Sequence, residues 1–387
     1  MTTDALQATT IAGTADLFPT SPGTPAGRYL RSFWQPVRIS ADLPRGRAEP
    51  LTVMSEQFTL YRGASGRPVV MAPGCAHRQT TLSVGTVEDD DIRCHFHGWK
   101  FRPDGGCAEA PGQSQSLADR MSVRTYPARE SFGLIFAYLG DGPEPPFPDI
   151  AEYSRAHGRD LASAPVIENN TYRRGCNYYI NVENSVDLAH VPFTHRLSAD
   201  PTQTKIGFSA SAGVIRDIIV ERTEFGIKAM EVSDEDVATQ STVLLPNVMH
   251  LIVDQRDSTM EQIAWRVPVD DDAHLSFSVT AQHTSEEGAR RYRERMAELA
   301  QIAAGYPDTE ECARQVLRGE KQLRDFLDHP QLVNIEDHVA QMGIGFISDP
   351  GKEHMDQSDK GVVQLRRMFI QRLSAFTAGS PTATRTW

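Results

Sequence analysis

Two short segments constrain this chain more than anything else in it: Cys75-x-His77 and, after sixteen intervening residues, Cys94-x-x-His97. Each offers one thiolate and one imidazole, and each adjoins a glycine, Gly74 or Gly98, that permits a tight turn. Two thiolates and two imidazoles form a four-ligand set for a soft or borderline metal. One reading is structural zinc, which takes Cys2His2 tetrahedrally. The other is a [2Fe-2S] cluster in which imidazoles replace thiolates on one iron, lowering its negative charge so that it accepts electrons easily. Zinc modules usually pair Cys with Cys and His with His. Here each loop carries one of each, which a two-iron cluster needs, so the spacing favours the cluster.

The remainder of the chain is compatible with a large soluble fold. Its 387 residues, 40% hydrophobic and 23% charged, predict two domains. A net charge of -12 opposes phosphate backbones and anionic lipid, so neither nucleic acid nor membrane is an expected partner. The first cation is Arg28, and the preceding stretch contains Asp4 and Asp16 but no charged and apolar export signal. No apolar run reaches the roughly 20 residues needed to span a bilayer, and a cytoplasmic location is expected. Five cysteines, Cys75, Cys94, Cys107, Cys176 and Cys312, are odd in number and mostly far apart, which suits thiols or metal ligands better than a disulfide framework.

Three segments are expected: a leader over 1–27, a small antiparallel β domain over 28–148, and an α+β domain over 149–387. Short β-rich runs such as FWQPVRI, FTLYRG, RPVVMA and FGLIFAYLG alternate with turn residues before residue 140. The proline-rich stretch 142–148 marks the boundary. Beyond it DIIVER, TVLLPNVMHLIVD, QIAWRVPV and HLSFSVTAQH read as strands, followed by helical patterns over 285–303 and 359–378.

A second constellation lies in NVENSVDLAHVPFTH. Asp187 and His190 are three residues apart, one helical turn, so a carboxylate there can orient a ligating imidazole. His190 and His195 differ by about 140° on an ideal helix, so both can face one metal only if the helix breaks, as Pro192 could force. Taken alone, the two histidines read as well as unrelated positions on a partly buried helix.

CAHR followed by CHFHGWKF resembles the Rieske signature, whose second loop usually reads Cys-Pro-Tyr-His-Gly-Trp. The chain departs from it at His95 and Phe96, and neither change removes a ligand. His95 reads as a surface or supporting histidine, and Cys107 matches no role. The order of cluster motif, proline-rich junction and histidine segment resembles the oxygenase (alpha) component of Rieske non-haem iron oxygenases, in the phthalate-dioxygenase-like branch, over nearly the whole chain.

That resemblance implies a Rieske domain followed by a helix-grip catalytic domain with an antiparallel sheet and C-terminal helices. It implies that Cys75 and Cys94 hold one iron of the cluster, and His77 and His97 the outer one. A mononuclear iron(II) would be held by His190, His195 and a carboxylate, completing a facial triad with open positions. Asp337 in NIEDHVAQMGIG is the candidate and Glu336 the runner-up, with His338 a surface bystander. Asp187 matches a carboxylate that bridges His97 of the partner subunit to its own His190 in a homotrimer, fixing both ring tautomers.

The implied reaction uses O2 and electrons from NAD(P)H to hydroxylate or O-/N-demethylate a small aromatic compound. No G-x-G-x-x-G follows a strand, so the electrons must come through a separate reductase, a ferredoxin, or both. Arg78, Lys100 and Arg102 could attract an acidic carrier, or simply be solvated surface cations. Asn184, Asn247, Met249 and His250 are candidate pocket residues, with packing roles as natural. An electron-transfer Rieske protein, or a metal-binding module without oxygenase activity, would leave the second constellation unexplained.

Overall fold

The computed structural model describes residues 18–199, 217–232, 237–255, 258–345 and 352–380. The N-terminal part contains three small sheets. Strands β1 (Trp34–Ile39), β10 (Ala128–Ser131) and β11 (Leu134–Tyr138) form one, in the order β1-β11-β10. A second orders β2 (Arg47–Val53), β3 (Glu56–Arg62), β4 (Pro68–Met71) and β9 (Thr125–Tyr126). The third runs in sequence order through β5 (Thr86–Glu88), β6 (Asp91–Arg93), β7 (Lys100–Phe101) and β8 (Cys107–Glu109). Such short strands, separated by turn residues, bury little each, and a local core of Tyr61, Met71, Leu82, Ile92, Trp99 and Phe101 holds this region together.

The C-terminal part is built on one seven-stranded antiparallel sheet. Its members are β12 (Val166–Arg174), β13 (Asp217–Arg222), β14 (Gly226–Val232), β15 (Val237–Leu244), β16 (Val248–Gln255), β17 (Ser258–Pro268) and β18 (His274–His283), ordered β12-β18-β17-β16-β15-β14-β13. Alternation along the strands gives this sheet two unlike faces. Ile263, Trp265, Phe277 and Val279 belong to the main core, where Phe136 of β11 meets Trp265 edge-on at 5.3 Å. This face packs on the N-terminal sheet. The alternate positions carry Tyr172, Arg266, Ser276 and Met249, and this polar face lies toward the helices that bear the second constellation.

Among the described residues four α-helices follow the sheet: Glu286–Ala303, Thr309–Leu317, Leu332–Ile344 and Lys360–Thr377. Leu197, Cys312, Phe326, Leu332 and Ile335 form a small separate core that pins Leu332–Ile344 beside the histidine segment. Residues 18–27, expected in the leader, are instead anchored. Phe18 stacks on Tyr179 at 4.6 Å, Thr20 accepts no freedom either, donating from its backbone N–H to Asp271 at 2.7 Å, and a helix begins at Pro25. The aromatic side chain outweighs the turn-rich composition around it. The stretch 142–148 has no regular structure but is tied down, because Trp34 donates to the Pro145 carbonyl at 3.1 Å. No described helix is long and apolar enough to cross a membrane.

Candidate metal centres

The first loop is closed by Cys75 N–H to Thr80 O at 2.8 Å and Gln79 N–H to Cys75 O at 2.9 Å. The second is closed by Cys94 N–H to Trp99 O at 2.7 Å, with Gly98 at φ +74°, a conformation that glycine adopts without strain. Both cysteines are buried and His97 is exposed. The His77 ring lies flat on Trp99 at 4.7 Å and meets His97 edge-on at 4.6 Å. Burial pushes the Cys75 thiol up to about 11, with the adjacent Cys94 contributing, so a thiolate here requires a cation.

These residues fit a two-iron cluster better than one ion. Tetrahedral zinc, with bonds of about 2.0–2.3 Å, would gather all its donor atoms closely. Among the described residues the only set of three or more donors lying within 4.8 Å of one another is His190, His195 and Asp337. Nδ1 of His77 is buried and has no hydrogen-bond partner, the condition of an atom meant for a metal.

The second centre solves the rotation problem by changing helix type. Tyr178–Asn184 is α-helical, Asp187 then precedes a 3-10 turn at Leu188–His190, and a short α-helix at Val191–Thr194 leads to His195. The break therefore falls before Pro192, which occupies the first turn of the new helix, where its missing N–H costs nothing. Helix Leu332–Ile344 delivers the carboxylates. One Asp337 oxygen lies 3.8 Å from His190 Nε2 and 3.5 Å from His195 Nε2.

The opposite ring nitrogens are both engaged. His190 Nδ1 donates to the Asp187 backbone carbonyl, and His195 Nδ1 lies 3.2 Å from Glu336 Oε2. Glu336 is buried and also accepts from Ser198, at 2.6 Å from its hydroxyl and 3.3 Å from its N–H. Glu336 thus supports a histidine, while Asp337 meets both. The Asp337 carboxyl is raised by burial, but His195, Arg174 and His190 outweigh that and hold it below its ordinary value.

The Asp187 carboxylate does not itself orient His190, since it lies 3.9 Å from Nδ1 and the main chain makes that bond. It faces a cavity of about 160 Å³ shared with Asn184, Gln341 and Arg366. Burial raises this carboxyl, with His190 pulling down and Asp359 pushing up. Asn184 reaches Asp337 at 3.5 Å, so it belongs to the centre.

Other expected residues are redistributed. Of the three pocket candidates on or beside β16, Met249 lies on the polar face, where Arg266 donates to its sulfur at 3.4 Å. His250 pairs with Ile263 and so faces the other way, bonded at 3.0 Å to Glu261, which also holds His283 and Ser154. Asn247 is spent on Gln35 at 2.8 Å and the Arg266 carbonyl at 2.9 Å, fastening the sheet to β1. Neither faces the triad, because strand alternation and a turn direct them elsewhere.

Lys100 lies 3.6 Å from each of Glu88, Asp91 and Glu109, which offset its charge. Arg102 is half-exposed beside Asp104, and Arg78 is exposed over the Phe96 ring at 5.8 Å. His95 is exposed as expected. His338 is no bystander: it is fully buried, accepts from Arg174 Nε at 3.2 Å, bonds Thr309 at 3.1 Å, and is pushed down to about 3 by burial and Arg174. Sequence reasoning missed Arg174 and Arg266. For Arg266 the signal was a cation inside a strand otherwise bound for burial, whereas Arg174 ends a polar, mostly part-exposed strand beside Arg173 and gave no such signal.

Residues 33–127 match the family model described as the Rieske [2Fe-2S] domain. The chain is 28% identical to phenoxybenzoate dioxygenase subunit alpha of Ectopseudomonas oleovorans over 93% of its own length and 85% of that protein's. It is 26% identical to the 5,5'-dehydrodivanillate O-demethylase oxygenase subunit of Sphingobium sp. (strain NBRC 103272 / SYK-6), covering 92% and 79%. The chain carries a Rieske [2Fe-2S] domain and resembles the Rieske non-haem iron oxygenases over nearly its whole length. Its fold is that of Pseudomonas putida CBB5 NdmA with caffeine, at a TM-score of 0.66 and 21% identity over 92% of this chain and 94% of that one. As a Rieske oxygenase component it is an oxidoreductase that carries a [2Fe-2S] cluster and a mononuclear iron, and it works with O2 and a separate electron-supplying protein.

Proposed function

We propose that this chain is a terminal oxygenase that hydroxylates a small aromatic compound or removes its O- or N-methyl group. The cluster domain is 28–148 and the iron domain 149–387. Cys75 and Cys94 hold the inner iron of the cluster, His77 and His97 the outer, and His190, His195 and Asp337 hold the mononuclear iron. The observation that carries this reading is the approach of one Asp337 oxygen to both imidazoles, which an electron-transfer protein would not need. When bound, the two centres supply electron storage and open positions for dioxygen.

The protein's own groups set the protonation of the site. The Asp187 carbonyl keeps the proton on His190 Nδ1, and Glu336 keeps it on His195 Nδ1, which leaves both Nε2 lone pairs for the metal. In a homotrimer the Asp187 carboxylate would accept the outward N–H of His97 of the partner subunit, giving a path between centres. Electrons reach the cluster from an NAD(P)H-dependent reductase, a ferredoxin, or both, in the cytoplasm. Support for an aromatic substrate comes from the two relatives, whose names state phenoxybenzoate and dehydrodivanillate.

The test is iron and acid-labile sulfide in anaerobically purified protein, with EPR after dithionite, in wild type and Asp187→Ala. About three irons and two sulfides per chain are expected in both. The variant should keep a reducible cluster yet stop forming product, and full turnover by Asp187→Ala would remove the bridging role.

A further inference from the structure

Two buried guanidiniums stand beside the iron ligands without a counter-charge. Arg174 is 1% exposed and Arg266 is 6% exposed. Arg174 donates through Nε to His338 at 3.2 Å and lies 5.0 Å over the Tyr172 ring, while its Nη1 is buried with no partner. Arg266 donates to the Ser276 hydroxyl and to the Met249 sulfur, while its Nε is likewise buried and unpartnered. Ser276 is the register partner of both Tyr172 and Arg266, so the two cations flank a single strand of the polar face.

Their partners are an imidazole, a hydroxyl, a thioether and the ring of Tyr172, none of them a carboxylate. Burial raises the Tyr172 phenol, but the two guanidiniums outweigh it and hold the phenol below its ordinary value, so Tyr172 is a titratable group beside both. Among the described residues neither guanidinium has a carboxylate within ion-pair distance. Asp337 is close enough to be felt by both, but it and Glu336 belong to the metal centre. A divalent iron would balance those two carboxylates and leave two positive charges buried in the same space. A buried charge persists when it is paired, so this arrangement calls for an anion that the protein does not itself provide. The unpartnered N–H groups are the donors for it, and a planar guanidinium suits a carboxylate above other anions of that size.

We propose that the substrate of this iron site carries a carboxylate held between Arg174 and Arg266, with its ring turned toward His190, His195 and Asp337. The inference rests on the oxygenase reading above and narrows its substrate class to aromatic acids.

The experiment is anaerobic calorimetry on the iron- and cluster-loaded protein with benzoate, phthalate and 3-phenoxybenzoate, each against its neutral amide. At least one acid should bind more tightly than its amide by tenfold to a hundredfold, about what a charged hydrogen-bonded pair contributes. Arg266→Met should erase that preference while leaving iron and sulfide unchanged, and Arg266→Lys should restore part of it. If every acid binds no better than its amide, or if loaded Arg266→Met keeps the preference, the guanidiniums only balance Glu336 and Asp337 and the proposal fails. Should Arg266→Met not fold, the wild-type comparison of acid with amide decides. Wild type lacking iron or sulfide would instead overturn the oxygenase reading itself.

Discussion

The two metal centres are built in opposite ways. The cluster ligands come from two hairpin loops within 23 residues; the two cysteines sit in the small local core with Trp99, but His97 is exposed and the second loop is flanked by surface charge, as in the ring of Glu88, Asp91 and Glu109 around Lys100. The iron ligands come from segments about 140 residues apart, and the group that steadies one of them, Glu336, is buried. A contiguous motif can shape its own site through local turns. A dispersed one depends on the tertiary packing of Leu332–Ile344 against Val191–Thr194, so its supporting groups lie where water cannot substitute for them.

This contrast is broken most directly by removing one ligand from each side. Asp337→Ala should lower iron from about three to about two per chain, leave the cluster's EPR signal intact and abolish turnover, as expected when a facial triad loses its carboxylate. Cys94→Ser should do the reverse, removing sulfide and the Rieske-type signal while the mononuclear site still takes up iron. If either change empties both centres, the two sites fold as one unit and the contrast fails. Glu336→Gln comes next in size. It keeps the shape of the side chain but offers His195 an amide, and loss of an orienting carboxylate typically costs 10–100-fold in metal affinity or activity. Iron retention under a chelator series measures it, and retention equal to wild type would show that Ser198 alone positions the helix.

How far each centre could be read beforehand follows from the same difference. Cys75, His77, Cys94 and His97 announce themselves by spacing, because each loop closes on its own backbone. His190 and His195 were visible as residue types, but the five-residue step contradicted a uniform helix until the 3-10 turn supplied the missing rotation. Asp337 and Glu336 are adjacent carboxylates that no local rule separates, and only the packed helix shows one meeting both imidazoles and the other turned to Ser198. The large antiparallel sheet was legible from its strand runs. Which of its faces meets the iron was not, because alternation defines two faces without naming the one a distant helix will cover. His250 and Arg266 were therefore indistinguishable in prospect, and they lie on opposite sides.

The smallest expected effect sharpens the contrast from the cluster side. Lys100 sits among Glu88, Asp91 and Glu109 at 3.6 Å each, and those acids are one-fifth to one-half exposed. Attraction among groups that water and ions reach is weak and screened, with a Debye length of about 3 Å at 1 M salt. Desolvation pulls the Lys100 ammonium down, but the three acids outweigh it and hold it above its usual value. Lys100→Gln should then lower the thermal midpoint slightly at low salt, and the difference from wild type should vanish near 1 M. Reduction of the cluster by an acidic carrier should be unchanged, whereas Arg78→Glu, at an exposed position beside Phe96, should slow it at low salt. A Lys100→Gln deficit that survived high salt, as the Glu336→Gln deficit should, would mean that the cluster side also relies on water-shielded support, and the distinction between the two centres would narrow to ligand spacing alone.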